Sequence, residues 1–476
     1  MTSEAAPPPV PPMSPQLRRI LVVVVLGSIM SFLDATIVNV ALESLSTQFH
    51  TDLSVIQWVI TAYLLGLAAM IPVSGWAAAR YGARTMFAVS IGLFTLASLA
   101  CSLAQTPGQL IAFRAVQGVA GGFILPVGQM IAARAAGPQL MARVMSAIAI
   151  PTLLAPVMGP VIGGLLLDHA AWQWIFLINL PIGLMTVLLA LRLLPEDQRG
   201  PAPRMDFLGL LLVTSGFVAL TYGLADIGTE GHLDVAVTVP ALVAGALLLA
   251  AFVPHALRTA QPLMDLTLFR NPVYSASSLT NFCLGAALFG SIILMPLYFQ
   301  IVRHEDTTVT GLLLVPQGIG GAIAMAMSAK LTDQIGSGRT TLIGGAVSIV
   351  ATVPFLLLGT DTSYWLLGIA MALRGFGIGM CAIPTTTAAY RSVPLEKIAD
   401  ATVQIGVIQR LGGSTGTALF AVVLQSRLST AATPAAQAEG FGTAFWWVLA
   451  TAILATAPAF ILTAAERRTA PLNSAP

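Results

Sequence analysis

The sequence predicts an all-α polytopic membrane protein, with fourteen transmembrane helices built as two six-helix repeats and an inserted pair between them. Three observations carry that reading. Of 476 residues, 56% are hydrophobic and 9% charged, whereas a soluble domain carries roughly 25% charged residues. Apolar runs long enough to cross a bilayer, about 20 residues each, recur along most of the chain. Basic residues fall almost entirely in alternate loops between those runs. Together these exclude a water-soluble globular enzyme, a nucleic-acid-binding protein and a disordered chain. A net charge of +2 points to no anionic partner.

Residues 1–17 hold six prolines. They lack the basic start and short apolar core of a secretory signal and read as a disordered cytoplasmic tail. Predicted spans follow at 20–42, 55–78, 86–104, 109–132, 145–167 and 174–193, a first six-helix bundle within 18–193. Spans at 206–225 and 236–256 form the inserted pair within 194–258. Those at 273–301, 310–329, 340–359, 364–389, 398–425 and 441–463 form a second bundle within 259–464, and 465–476 is a cytoplasmic tail. Helices suit this setting because each satisfies its own backbone hydrogen bonds in lipid.

With the N-terminus inside, seventeen of 22 basic residues fall on the cytoplasmic side. Arg303 and Arg427 fall outside, and Arg114, Arg374 and Arg410 lie within spans. A wrong span count would mix the two sides past the error, so the alternation supports count and orientation together. The expected location is the plasma (inner) membrane, with both termini cytoplasmic. The halves also echo each other. The turn from Gly75 to Arg84, with Arg80 and Gly82, is matched 254 positions on by Ala329 to Arg339, with Asp333 and Gly336. Arg114 in span 4 is matched by Arg374 in span 12, 260 positions on. A near-constant offset is what a parallel duplication predicts, and such transporters place substrate at the repeat interface.

Only one acid, Asp34, lies deep in an apolar span. A charge there costs roughly 2.5–3.5 kcal/mol on insertion scales, so it needs a function or a partner. Two readings fit: a proton-binding site on an ion pathway, or a packing aspartate held permanently by an arginine. Arg114 lies at the matching depth and begins a stripe with Gln117, Gly118 and Gly121 on one helical face. The glycines permit close helix approach while Arg114 and Gln117 supply donors. Asn39, about 140° round the helix from Asp34, reads as interhelical glue. Arg374 and Arg410 fit either carbonyl bonding or substrate contact. Glu43, at the outer end of span 1, is either a second proton site or a solvated helix-end acid.

Span 5 carries Ala155, Gly159 and Gly163 as a small-residue stripe among Pro151, Pro156 and Pro160, a pattern for close packing and bending. Cys101, Cys283 and Cys381 lie far apart in apolar runs and read as packing residues. The five histidines sit in loops or at span ends without metal-ligand spacing, and no hydrolase or zinc-peptidase motif occurs. No metal, cofactor or catalytic residue is expected.

These residues resemble a known family. Leu33 to Leu42 is similar to the helix-1 signature of the fourteen-helix drug:proton antiporters of the major facilitator superfamily. Gly75 to Arg84 resembles the superfamily's loop 2–3 motif, and Arg114 to Gly118 its helix-4 motif, whose arginine is linked to proton transfer. Ala155, Pro156, Gly159, Pro160, Gly163 and Gly164 resemble the helix-5 antiporter motif. Trp172 to Gly183 and Pro262 to Asn271 are similar to the family's entries into helices 6 and 9. The resemblance implies proton-coupled export of small lipophilic molecules by a monomer in the lipid bilayer, without ATP or nucleic acid. Asp34 and Arg114 would couple protons; Gly75, Arg80, Gly82, Arg84 and Asp333 would gate. Cavity candidates are Tyr63, Gln117, Asn281, Phe282, Met295 and Gln317.

Three departures matter. Ala79 replaces the loop 2–3 acid, Gln173 an arginine and Glu43 a proline. Without the acid, the expected ensemble leans toward the inward-open state, with Asp333 left to support the second-half turn. A nutrient:proton symporter on the same fold is the alternative function. A polytopic lipid-modifying enzyme is a more distant one, since no catalytic set faces either interface.

Overall fold

The structure, a computed structural model, describes residues 12–196, 204–230 and 237–469. Thirteen helices among the described residues are long and apolar enough to cross a membrane. The first half comprises α1 (Pro15–Val40), a short α2 (Leu42–Phe49), α3 (Leu53–Tyr81), α4 (Ala83–Ser102), α5 (Pro107–His169), α6 (Trp174–Leu177) and α7 (Asn179–Leu193). Continuous hydrogen bonding makes α5 63 residues long, roughly 95 Å at 1.5 Å per residue and far beyond one crossing. It is two helices. Gly137 adopts φ 63° and ψ 178° and turns the chain back, so the second limb, 138–169, occupies the place of the predicted fifth span. Gly137 thus makes the turn between the predicted fourth and fifth spans. The side chains at 152–157 and 160, which include Ala155, Pro156 and Pro160, lie outside the described residues, as does that of Glu43.

The inserted pair is α8 (Phe207–Glu230) and α9 (Thr238–Arg258). The second half follows as α10 (Pro272–Leu297), α11 (Thr307–Ile335), α12 (Ser337–Thr352), α13 (Tyr364–Arg391), α14 (Ile398–Leu428), α15 (Pro434–Thr456) and α16 (Ala459–Thr469). Helix starts are set by side-chain caps: Ser14, Thr106, Asn271, Asp306 and Thr433 each accept a backbone N–H of the first turn. Asp206 fixes the inserted pair, accepting from the Gly209 amide at 2.8 Å and the Leu263 amide at 3.2 Å, with His255 at 2.8 Å. Burial pushes this carboxyl up, but the bonds from Gly209, His255 and Leu263 outweigh it and hold it below the usual carboxylate range.

Glycine contacts reveal the repeat in detail. A side chain at Gly66, Gly118 or Gly122 would collide with the carbonyl of Ala115, Tyr63 or Leu67, locking α3 against α5. In the second half Gly320, Gly375 and Gly379 meet the carbonyls of Ala372, Gln317 and Gly321 in the same way. The offsets are 254 between α3 and α11 and 257 between α5 and α13. Gly82 and Gly336, also 254 apart, take φ 94° and φ 90° at their turns, a region open to glycine at little cost. This register corrects the predicted equivalence of the two arginines: Arg374 matches Gln117, not Arg114. Gly118→Leu and Gly375→Leu are each expected to lose a monodisperse size-exclusion peak or lower Tm by more than about 5 °C. Gly92→Ala, which faces open space, should leave both unchanged.

Candidate functional site

The site forms where α1, α3, α5 and α7 meet. Asp34 on α1 and Arg114 on α5 are both fully buried. Arg114 Nη1 donates to Asp34 Oδ2 at 2.6 Å and to Gln117 Oε1 at 2.7 Å, while its Nε donates to the Val59 carbonyl at 3.2 Å. Gln117 Nε2 donates to Asp34 Oδ1 at 3.0 Å. Asn179 Nδ2 donates to the same oxygen at 2.8 Å and to Ser98 Oγ at 3.0 Å. The guanidinium carbon also lies 4.2 Å from the centre of the Tyr63 ring, a cation–π contact. Tyr63 is held by its hydroxyl, 3.3 Å from that of Ser31.

The carboxylate thus receives one charged and two neutral donors in a dry pocket. Charge-assisted bonds of this kind are the strong ones. A proton on Asp34 would remove the negative charge facing Arg114 and turn one oxygen from acceptor to donor. Asn179 and Ser98 escape sequence reasoning because uncharged polar residues are frequent in spans. The apolar run around Asn179 is the one signal that marks it.

The helix-5 glycines serve the same neighbourhood. A side chain at Gly159 would collide with Thr36, and one at Gly163 would lie 3.4 Å from Ile37. The second limb of α5 therefore packs on α1 within one turn of Asp34. Gly164 faces open space.

Several cavity candidates are placed otherwise than expected. Gln117 and Tyr63 belong to the buried Asp34 network. Met295 is 1% exposed and packs in an apolar cluster with Leu294, Tyr298 and Phe299. Asn281 is 2% exposed; it donates to the Ser277 carbonyl at 2.9 Å and accepts from Thr386 at 3.4 Å. Phe282 and Gln317 are half-buried. Asn39, expected between helices, is exposed and donates to Ala35 of its own helix. Arg374 donates to the Ala287 carbonyl at 3.0 Å and Ser291 Oγ at 2.7 Å. The three cysteines are buried and unpaired.

The halves meet at the end that carries the Gly82, Gly137 and Gly336 turns. A methyl at Gly75 of α3 would lie 3.1 Å from Val403 of α14. Ser146 of α5 donates to the Met325 carbonyl of α11 at 2.7 Å. Asp333 accepts from Arg391 at 3.2 Å and lies 4.0 Å from Arg143. One apolar cluster joins the halves here, with Ile71, Met145, Met325, Ile383 and Val403. Toward the opposite end the apolar clusters stay within single halves. This end is closed with Ala79 in place, and the contacts across it include the acid of the second-half turn, Asp333. Arg84 instead braces its own half, donating to the Leu191 carbonyl and lying 4.0 Å from Glu196. Arg80 is exposed.

Two helical repeats, one holding a buried ion pair, joined by a shared apolar cluster at one end and with separate clusters toward the other, have the build of a membrane transporter. The chain belongs to the Major Facilitator Superfamily, whose family model matches residues 24–417. It is 38% identical over 414 residues to the Multidrug resistance protein B homolog of Mycobacterium tuberculosis, covering 86% of this chain and 76% of that one. It is 33% identical over 412 residues to the Multidrug resistance protein Stp of the same species, with the same coverage. The fold is similar to that of the proton:xylose symporter XylE, with a TM-score of 0.67 at 13% identity over 94% of this chain and 96% of that one.

Removing one partner of a buried ion pair costs about 3–5 kcal/mol, because the other charge stays behind. Arg114→Gln should therefore lower thermal stability more than the double variant Asp34→Asn with Arg114→Gln. A double-variant loss equal to the sum of the two single-variant losses would show that the two side chains are not energetically coupled. For the seal, Asp333→Ala should lengthen the spin-label distance between the second limb of α5 and α11 at the closed end. Ala79→Asp should leave it unchanged.

Proposed function

We propose that the protein is a proton-driven antiporter that exports lipophilic small molecules from the cytoplasm by alternating access. It sits as a monomer in the plasma (inner) membrane with both termini inside, so the closed end faces the cytoplasm. The observation that carries this reading is the Asp34 network: a carboxylate deep in the spans, bonded by Arg114, Gln117 and Asn179. The names of the two mycobacterial relatives, both multidrug resistance proteins, support the substrate class.

In the conformation with the outer side open, a proton reaches Asp34 and neutralises it. The pull between α1 and α5 weakens as Arg114 loses its counter-charge. Because Gly159 and Gly163 pack directly on α1 beside Asp34, a small shift of α1 is passed to the second limb of α5. That limb carries Ser146 and Arg143, two contacts of the inner seal. Protonation at the site is thus mechanically joined to opening on the cytoplasmic side, where substrate enters and the proton leaves. Substrate binding then favours return to the outward-open state, and exchange follows from the rule that neither species alone completes the cycle.

Asp34→Asn keeps the shape and most hydrogen bonds while removing titration. In inside-out vesicles with an imposed pH gradient it is expected to fold and insert but to lose gradient-driven drug uptake by at least about tenfold, with downhill drug exchange retained. Undiminished gradient-driven uptake would remove Asp34 from coupling. Proton and drug moving in the same direction would instead indicate symport.

A further inference from the structure

We propose that Arg410, with Ser414 and Thr417, binds the carboxylate head of an amphipathic substrate in the cleft between α3 and α14. The proposal deepens the export reading by naming a substrate class, and it rests on that reading for the cleft being the substrate path.

The three residues share one stripe with residues that pack across the interface. At 100° per residue, Ala399, Val403, Gly406, Arg410, Ser414 and Thr417 lie within about a quarter-turn of each other on α14. The first three meet α3: Gly75 faces Ala399 and Val403, and Gly406 faces Ile71. Beyond that contact the stripe changes character. Val403 is buried, whereas Arg410, Ser414 and Thr417 are all half-buried. The stripe turns from apolar and packed to polar and partly open where the halves separate.

None of the three has a hydrogen-bond or ion-pair partner among the described side chains. Arg410 is close enough to Tyr63, across the interface on α3, for an electrostatic interaction. Tyr63 in turn covers the Asp34–Arg114 pair. The other deep arginines are already engaged, Arg114 with Asp34 and Arg374 with Ala287 and Ser291. The one deep carboxylate among the described residues is matched by Arg114, so Arg374 and Arg410 leave the spans with an excess of positive charge, and of these two only Arg410 has no polar partner among the described side chains. An unpaired charge at such depth calls for a partner, and a guanidinium matches a carboxylate in a two-bond fork. Two hydroxyls on the following turns extend the donor set. Apolar surface flanks it: Leu64, 37% exposed, continues the α3 face past Ile71. Phe289, 39% exposed, packs on Gly413 beside Ser414. An acidic head with an apolar body fits both features.

The test uses full-length protein in phosphatidylcholine nanodiscs and two fluorescent probes of equal apolar body, dansyl-aminoundecanoic acid and its primary amide. Wild type should bind the acid at least about tenfold more tightly than the amide. Arg410→Gln should lose that preference while holding amide affinity within about twofold, and Arg410→Lys should retain most of it. Ser414→Ala with Thr417→Val should weaken acid binding about threefold, a readout that stands even if Arg410→Gln fails to fold. Equal wild-type affinity for the two probes, or acid binding untouched by these substitutions, would overturn the proposal. So would displacement of the acid by phosphatidylglycerol added to the nanodisc, which would assign the site to a lipid headgroup. Binding is measured without a gradient, so a failure of proton coupling leaves this result intact.

Discussion

Asp34 is fully buried among helices, and that constraint organises the first half of the molecule. A carboxylate in such a place survives only with a cation and further donors around it. Arg114 supplies the charge, Gln117 and Asn179 supply the donors, and Tyr63 covers the guanidinium. Those residues come from α5, α7 and α3, so meeting the needs of one side chain on α1 fixes how four helices sit. In the proposed cycle the same dependence makes the cluster sensitive to a single proton. A network assembled to hold one negative charge changes its balance when that charge disappears.

The second half is built on the same backbone plan without the same chemistry. Its glycine contacts repeat those of the first half residue for residue, yet Arg374 occupies the place of Gln117 and bonds a carbonyl and a hydroxyl. The repeat has therefore kept its packing and divided its polar roles. One half holds the buried ion pair, while the other holds the acid at the closed end, Asp333, and Arg410, which has no hydrogen-bond or ion-pair partner among the described side chains.

Much of this is legible in the sequence for a physical reason. Charges are rare in lipid-spanning helices, so Asp34 and Arg114 stand out and their pairing follows from depth alone. The spans are legible because an apolar run of some twenty residues matches the thickness of a bilayer and little else. Neutral polar residues carry no comparable cost, so Asn179 and Ser98 go unmarked although they complete the site. Register between helices is also out of reach. An offset of 260 read from two arginines misses the value of 257 that the close glycine contacts reveal. Met295 and Gln117 look like cavity residues in the sequence because polarity and position along a helix do not specify which way a side chain turns. Ala79 does not by itself tell which residues close that end, since the other copy of the repeated turn keeps its acid, Asp333.

The glycine contacts have a consequence for how such a protein changes over generations. Within each half, helices touch backbone to backbone, and almost any substitution at those six glycines adds atoms where none fit. Between the halves, contact rests on side chains such as Val403, Ser146 and Asp333, where a substitution alters one contact without forcing backbones apart. Substitution would thus be filtered unevenly: the backbone contacts within each half leave no room for added atoms, while side chains between the halves can change at lower cost. A transporter arranged this way can acquire a new cargo without first surviving a loss of fold.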